Sequence, residues 1–102
     1  MSDAPVDVLI VETEVFRDSI KTLRKELRAD SLAAAVTKLT ADPGALSRKF
    51  EPSNPERTFV HRFHVRFAFT YQIALDKENT GDITGMRIIL KVAFRYRGMS
   101  PI

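Results

Sequence analysis

The segment of residues 59–75, "FVHRFHVRFAFTYQIAL", decides the fold of this chain, because apolar residues occupy nearly every second position in it. A period of two is the pattern of a β-strand with one buried face. The odd positions are apolar with the exception of His61, whereas the even positions include Arg62, His64 and Arg66. The segment therefore predicts an extended strand with an apolar face and a basic face.

A second segment, residues 86–97 with the sequence "MRIILKVAFRYR", continues the same alternation. One predicted face carries Met86, Ile88, Leu90, Val92, Phe94 and Tyr96, and the other carries Arg87, Ile89, Lys91, Ala93, Arg95 and Arg97. Residues 76–85, "DKENTGDITG", lie between the two segments and are rich in Asn, Asp and Gly, which tolerate turn conformations. We therefore predict a long antiparallel β-hairpin over residues 58–98.

The length of the first segment raises a question about assembly. At about 3.3 Å per residue, a continuous strand over residues 59–75 would be about 55 Å long, whereas a compact domain of this size has a radius of gyration of about 13 Å. The favoured interpretation is a homo-oligomer in which hairpins share or stack their sheets, because a two-stranded hairpin is marginally stable alone. The alternative is a strand that bends, with Ala68 as an acceptable place, and forms two strands of a four-stranded monomeric sheet.

The best helical pattern lies near the N-terminus. Leu9, Phe16, Ile20, Leu23 and Leu27 recur at steps of three, four and seven, which places them on one helical stripe. The start of this helix has two interpretations. It begins near Leu9, or Thr13 is its N-cap and residues 6–11, "VDVLIV", form a short strand.

Shorter helical patterns follow this stripe. Asp30 and Ser31 predict an N-cap for a second helix over residues 32–39, and residues 40–44, "TADPG", predict a turn before another helical turn. The fold class predicted is α+β, one domain with a helical part at about residues 8–50, a linker at 51–57 and the hairpin at 58–98. The N-terminal helices are expected to pack on the hairpin.

The composition is typical of a globular domain, with 102 residues, 44% hydrophobic and 28% charged. The chain has no cysteine, which excludes disulfides, thiolate metal sites and cysteine nucleophiles. Residues 1–14 contain no basic region ahead of an apolar run, and the run itself is only "VLIV". We expect a soluble cytoplasmic protein that makes no use of a membrane.

The sequence gives little support to catalysis or metal binding. His61 and His64 form an H-x-x-H pair, but on one strand their side chains point to opposite faces and do not share a metal. The acids of the predicted hairpin loop lack the spacing of an EF-hand, and its glycines lack the Lys and Ser/Thr of a phosphate loop. We expect no catalytic residue, no cofactor and no metal site.

The net charge of +3 allows an acidic partner without requiring one. If the hairpin loop is centred near Thr80 and Gly81, Arg66 is predicted opposite Arg95. The candidate residues for an anion or a partner are Arg62, His64, Arg66, Arg87, Lys91, Arg95 and Arg97. The candidate residues for an oligomer interface are Phe63, Phe67, Phe69, Tyr71, Phe94 and Tyr96.

These patterns predict a non-enzymatic binding or assembly module that forms a homo-oligomer through its hairpin, a small structural or adaptor subunit with a protein partner. The alternative function is nucleic-acid binding by the basic face of the hairpin, since a two-stranded ribbon fits the major groove. A third hypothesis is an enzyme whose site is assembled between subunits.

Overall fold

The structure of the chain, a computed structural model, describes residues 7–23, 29–64, 66–77, 81 and 83–95. The predicted α+β class is confirmed, because these residues form three helices and a four-stranded mixed sheet. The elements in chain order are β1 (Asp7–Glu12), α1 (Glu14–Leu23), α2 (Ala29–Leu39), α3 (Pro43–Lys49), β2 (Thr58–Arg62), β3 (Phe67–Lys77) and β4 (Ile83–Arg95).

The sheet has the strand order β1-β4-β3-β2. β1 pairs in parallel with β4, and the two other pairs, β2 with β3 and β3 with β4, are antiparallel. The first strand of the chain thus lies beside the last, and the helices that follow β1 form the connection across the sheet. β1 and β2 are the edge strands.

The N-terminal segment follows the second of its two predicted interpretations. Residues 7–12 form β1, and α1 begins directly after Thr13. The hydroxyl Oγ1 of Thr13 accepts a hydrogen bond from the backbone N–H of Phe16 at 3.1 Å, which is the bond of an N-cap residue. Leu27, the last residue of the predicted stripe, lies outside the described residues.

Residues 59–75 follow the alternative interpretation, a bent segment that forms two strands of a four-stranded sheet, because the chain turns back between β2 and β3. The backbone N–H of Phe67 donates to the carbonyl of His64 at 3.4 Å, and the N–H of Phe63 donates to the carbonyl of Phe67 at 3.2 Å. Ala68, the predicted bend, is paired with Arg62 inside the ladder. The segment therefore forms two adjacent antiparallel strands.

This turn leaves the alternation of the sequence intact. Phe59 pairs with Tyr71 and His61 pairs with Phe69, so that odd-numbered residues face odd-numbered residues across the two strands. Paired residues in a sheet point to the same face. Apolar side chains at odd positions consequently lie on one face on both sides of the turn, and the pattern resembles that of one strand.

A β-bulge at Lys91 changes the predicted faces of β4. Leu90 pairs with Tyr71 and Val92 pairs with Thr70, which leaves Lys91 as the extra residue. One extra residue reverses the direction of every side chain that follows. The prediction that Val92 and Phe94 share a face with Leu90 is therefore wrong, and Ala93 takes the core position, with 3% of its surface exposed.

Two hydroxyl groups of α1 bind the backbone of β4 at this bulge. Thr13 Oγ1 donates to the carbonyl of Leu90 at 2.8 Å and approaches that of Lys91 at 3.2 Å. Ser19 Oγ accepts from the N–H of Ala93 at 2.9 Å and donates to the carbonyl of Phe16 at 2.6 Å. These bonds use backbone groups that the regular ladder leaves unpaired, so α1 and the bulge stabilise each other.

The second and third helices begin at different kinds of residue. α2 starts at Ala29 and includes Asp30 and Ser31, so the predicted cap lies inside the helix. α3 starts at Pro43, and its N-cap Asp42 accepts from the N–H of Ala45 at 3.2 Å. Among the described residues, no helix combines the length and apolar character needed to cross a membrane.

The core lies between the helices and one face of the sheet. Each helix contributes at least one buried side chain, Phe16 from α1, Ala35 from α2 and Leu46 from α3. The sheet contributes buried residues from its two central strands, namely Phe69, Tyr71, Ile73, Met86, Ile88, Leu90 and Ala93. The rings of Phe16 and Phe69 meet edge to face at 6.2 Å, which joins the first helix to the centre of the sheet.

Candidate functional site

The face of the sheet opposite the helices is the largest candidate site in the described part of the chain, and we call it the open face. Its members follow from the register of the ladder and the alternation of side chains. They are Asp7, Leu9, Val11, Thr58, Val60, Arg62, Ala68, Thr70, Gln72, Ala74, Asp76, Gly85, Arg87, Ile89, Val92 and Phe94. None of the described helices contributes to the core from this side.

The open face is more apolar than the solvated side of a sheet usually is. Leu9 and Val60 are each 59% exposed. Val11, Ile89, Val92 and Phe94 are half-buried among their neighbours. Strands of a one-sided sheet normally alternate apolar residues toward the core with polar residues toward water, and a contiguous exposed apolar surface marks an interaction site.

The register places these side chains in rows across the strands. Val11 lies beside Ile89, and Val92 continues through Thr70 to Val60. Another row joins Phe94 to Arg62 through Ala68, whose surface is fully buried between them. The row of Val11 and Ile89 continues through Gln72 to Thr58, and Leu9 lies beside Arg87. Apolar side chains therefore reach both edge strands, with polar side chains between them.

Arg87, the arginine on the β1 side of the open face, forms an ion pair with a carboxylate. Arg87 pairs across the ladder with Ala74, and its Nη2 contacts Oδ1 of Asp76 at 3.1 Å. Both side chains of this ion pair are about half exposed, so its contribution to stability is small. Its effect is to reduce the net charge beside the apolar rows.

The structure places most of the predicted interface residues in the core. Phe67, Phe69 and Tyr71 have 3%, 0% and 1% of their surface exposed, so they present no surface to a second chain. Phe69 and Tyr71 belong to the core under the helices, and Phe67 packs against Phe63 and His64. Phe63 is half-buried and packs against the same core. Phe94 lies on the open face because of the bulge, and Tyr96 lies outside the described residues.

The exposed apolar residues that sequence reasoning missed are Leu9 and Val60. Leu9 was assigned to a helical stripe, although the alternative strand over residues 6–11 already placed it on a sheet. Val60 occupies an even position of the segment 59–75, among the residues predicted to be polar. The sequence signal for Val60 is that an apolar residue occupies an even position at the N-terminal end of that segment.

The predicted basic face is divided among several places. Arg62 and Arg87 are on the open face, and Lys91 is the bulged residue. Arg95 pairs with Phe67, so the predicted placement opposite Arg66 is wrong by one residue. His64 and Arg66 lie in the turn between β2 and β3, where the N–H of Arg66 donates to Nδ1 of His64 at 3.2 Å. Arg97 lies outside the described residues.

An apolar groove runs between β1 and the first two helices. Its inner part has a volume of about 370 Å³ and is lined by Ile10, Glu12, Phe16, Leu32, Ala33, Val36 and Leu90. An adjoining part of about 270 Å³ shares Glu12, Phe16 and Leu32. Glu12 contacts Arg17 at 3.5 Å at the rim. The groove is apolar with one ion pair at its entrance, and it offers no set of groups suited to catalysis.

The side of the sheet under α2 and α3 holds a half-buried histidine. The ring of His61 lies 5.3 Å from the ring of Phe69. Burial is the main cause that lowers the pKa of His61 below its usual value of 6.5, and the ammonium groups of Lys49 and Lys38 lower this pKa further. Lys49 donates from Nζ to the hydroxyl of Tyr71 at 3.3 Å.

The described residues contain no metal-binding cluster, because no three side chains of His, Asp or Glu lie close enough together to hold one ion. His61 and His64 contact different rings, Phe69 and Phe67 respectively.

Comparisons with protein-family models, with curated proteins and with solved structures find no match to this chain.

Proposed function

We propose that this protein is a non-enzymatic assembly module of the cytoplasm that forms a homodimer through the open face of its sheet. The observation that carries the proposal is the pair of strongly exposed apolar side chains, Leu9 and Val60, at the two edges of a sheet face that the described helices leave uncovered. A second copy supplies the same apolar rows, so a two-fold pairing covers both faces at once.

The shape of the open face suits sheet-on-sheet packing. Two sheets pack face to face at about 10 Å when the inner side chains are apolar and of moderate size. Val11, Ile89 and Val92 are residues of this kind, and the small side chain of Ala74 leaves room for the side chains of an opposing sheet. The ion pair of Arg87 with Asp76 lowers the repulsion between two copies at that margin.

The size of the open face indicates a reversible dimer. Four strands at about 4.8 Å spacing and six residues along β3 give a projected area on the order of 300 Å². Stable complexes bury about 800 Å² per partner. We therefore expect a dimer that dissociates on dilution.

The experiment that tests this proposal is light scattering behind a sizing column over a series of protein concentrations. The wild-type mass should rise toward twice the chain mass of 11.6 kDa as the concentration increases. Leu9→Lys and Val60→Lys place a charge in the apolar rows, and each should leave a monomer at concentrations where the wild type is dimeric.

The matched control is Val15→Lys. Val15 is 63% exposed on α1, away from the open face, so it matches Leu9 and Val60 in exposure and side-chain type. This variant should dimerise as the wild type does. A monomeric wild type at every concentration, or equal loss of dimer in all three variants, would contradict the assignment of the interface.

Nucleic-acid binding is the second candidate function, and one observation favours it. Arg62, His64, Arg66 and Arg95 all lie at the end of the sheet formed by the turn between β2 and β3. Arginine side chains that lie together at a protein surface can contact phosphates. Under this function, affinity for DNA or RNA should fall linearly with salt on logarithmic axes and drop in the double variant Arg62→Gln, Arg66→Gln.

Two single variants, one at Arg66 and one at Val60, separate the candidates. Arg66 lies outside the open face, so Arg66→Gln should leave dimer formation unchanged. Val60→Lys adds a positive charge and should leave electrostatic binding of nucleic acid intact. A protein that elutes free of nucleic acid and shows no salt-dependent affinity excludes the second candidate.

A further inference from the structure

The apolar groove between β1, α1 and α2 lies on the helix side of the sheet, opposite the open face. Its floor is formed by Phe16 and Leu90, which are 1% and 0% exposed. Its walls are half-buried aliphatic side chains, Ile10 from β1 and Leu32 and Val36 from α2. All three wall residues pack against the core, so the groove presents an apolar surface that is continuous with it.

The groove has the size of a small-molecule site. Its inner part measures about 370 Å³ and its adjoining part about 270 Å³. Sites for small molecules commonly measure about 300–1,000 Å³ and are lined mainly by apolar side chains with a few polar groups. The two parts share Glu12, Phe16 and Leu32. They therefore form one groove that is longer than either part, a shape that suits an extended aliphatic chain.

The adjoining part of the groove carries its charge. It is lined by two cations, Arg17 and Lys21, and by one carboxylate, that of Glu12, so its net charge is +1. Arg17 and Lys21 are four residues apart on α1 and therefore lie on the same face of the helix. Arg17 contacts Glu12 at 3.5 Å, whereas Lys21 forms no ion pair with the described residues. A ligand with one negative charge would neutralise this end of the groove.

We propose that the groove binds a straight-chain aliphatic carboxylate, with its hydrocarbon chain in the inner part and its carboxylate beside Arg17 and Lys21. Burial of methylene groups on the apolar floor supplies the affinity, and the two cations set the direction of the chain. A single carboxylate matches the net charge of this end, whereas a dianion would place excess negative charge beside Glu12. The site is independent of the proposed dimer, because the groove and the open face lie on opposite sides of the sheet.

The test is isothermal titration calorimetry of the whole chain with hexanoate, octanoate and decanoate, each below its micelle concentration. The affinity should rise up to about fourfold for each added methylene group, the factor that corresponds to its burial in an apolar site. Equal affinities for the three ligands would overturn the proposal. Absence of binding at decanoate concentrations on the order of 1 mM, where a site with a Kd of about 0.1 mM is filled, would overturn it as well.

A change of head group tests the role of the two cations. Decyltrimethylammonium has a hydrocarbon chain of similar length and a positive head group, which Arg17 and Lys21 repel. It should bind about tenfold more weakly than decanoate, since an attraction at an exposed site is exchanged for a repulsion. Equal affinity of the two ligands would overturn the placement of the carboxylate and with it the proposal.

Two alanines of α2 provide a matched pair of variants. Ala33 and Ala34 are both exposed, but only Ala33 is among the residues that line the groove. Ala33→Leu narrows the groove and should weaken decanoate binding about tenfold, the loss of one to two buried methylene groups. Ala34→Leu should bind as the wild type does, and both variants should fold, because leucine is a strong helix former. Equal affinity in the two variants would overturn the proposal.

A pair of exposed lysines tests the charge in the same way. Lys21→Gln should weaken decanoate binding about two- to fivefold, the range of an ion pair at an exposed site. Lys38 is an exposed lysine of α2 that does not line the groove, so Lys38→Gln should leave the affinity unchanged. An equal loss in both variants would show general attraction to a basic protein and would overturn the proposal.

The position of the bound chain is measured by NMR on isotope-labelled alanine methyl groups. Decanoate should shift the methyl signal of Ala33 in the groove and leave that of Ala74 on the open face unchanged. A shift of the Ala74 signal without one at Ala33 would place the ligand on the open face and would overturn the proposal.

Discussion

At the scale of single residues, two hydroxyl groups of α1 hold the irregular part of the sheet. Thr13 caps the helix and donates to the carbonyl of Leu90 at 2.8 Å, and Ser19 accepts from the N–H of Ala93 at 2.9 Å. Ala93 is 3% exposed, so water does not readily replace the hydroxyl of Ser19. A buried backbone donor that loses its partner carries its full desolvation cost.

Ser19→Ala and Thr13→Ala should each lower the free energy of unfolding by about 1–3 kcal/mol. Urea denaturation followed by circular dichroism measures the change. Thr22→Ala is the control, because its hydroxyl bonds only to the carbonyl of Asp18 at an exposed site, and its effect should stay within about 0.5 kcal/mol. Equal effects in all three variants would show that the bonds to β4 contribute nothing specific.

His61 makes stability depend on pH in a defined direction. Its pKa is below 6.5 in the folded protein because of burial and because of Lys49 and Lys38. Between the pKa of His61 in the folded protein and 6.5, the unfolded chain binds more protons at this residue than the folded protein does. The free energy of unfolding therefore rises with pH through that window. Above it the contribution is constant.

Urea denaturation at a series of pH values in phosphate-free buffer measures this dependence. The wild type should lose stability as the pH falls below 6.5, and His61→Gln should remove the part of the slope that belongs to this window. An identical slope in wild type and His61→Gln would contradict the assignment.

At the scale of elements, the bulge at Lys91 decides which residues of β4 face the core. It separates Leu90, paired with Tyr71, from Val92, paired with Thr70. Without it, simple alternation would turn Val92 and Phe94 toward the helices and Ala93 toward solvent. The bulge thus supplies two of the apolar side chains of the open face.

Deleting Lys91 should leave a folded protein, since Leu90 and Val92 then follow each other in a regular ladder and keep their partners. Deleting Ile89 is the control. This deletion shifts the residues that follow by one position and so moves Lys91 to the core position of Leu90, which should abolish cooperative unfolding. Thermal unfolding by circular dichroism distinguishes the two. Loss of the fold in the Lys91 deletion would mean that the bulge itself is indispensable.

The turn between β2 and β3 shows how an element boundary escapes a sequence pattern. Residues 63–67, "FHVRF", contain no glycine, proline, asparagine or aspartate, the residues that normally mark a turn. The pairing of Phe59 with Tyr71 and of His61 with Phe69 preserves odd positions on one face. Neither composition nor periodicity changes at this boundary, so the segment predicts one strand.

At the scale of the whole molecule, the sheet has one face that builds the core and one that the described helices leave uncovered. The helix side buries Phe16, Phe69 and Tyr71 with 1%, 0% and 1% exposed, whereas Leu9 and Val60 on the other side are each 59% exposed. A core on one side is sufficient for folding. The apolar rows on the other side have no role in that core and are explained by the proposed dimer.

If the open face forms the dimer, the stability of the protein depends on its concentration. The melting temperature of the wild type should rise with protein concentration, because association stabilises the folded state by mass action. Leu9→Lys and Val60→Lys should melt at one temperature regardless of concentration, while Val15→Lys should follow the wild type. Calorimetry over a hundredfold dilution series measures this, and a constant wild-type melting temperature would count against the dimer.

The sequence by itself determined the kinds of element and much of the core. Alternation identified the extended segments, the spacing from Phe16 to Leu23 identified α1, and the Thr13 cap with β1 before it was one of two open interpretations. The residues predicted to be apolar in β3, among them Phe69 and Tyr71, are buried as their period requires. These features depend on neighbours within a few residues, which is the range over which period and capping act.

Only the tertiary structure decided where the chain reverses and which apolar side chains are left outside. The bulge in β4 is held by Thr13 and Ser19, which lie 74 to 78 positions away from their partners along the chain. Lys38 of α2 and Lys49 of α3 lower the pKa of His61 on β2 only because the chain folds. Contacts at such separations leave no periodic trace in the sequence, because they depend on how whole elements pack and not on the order of adjacent residues.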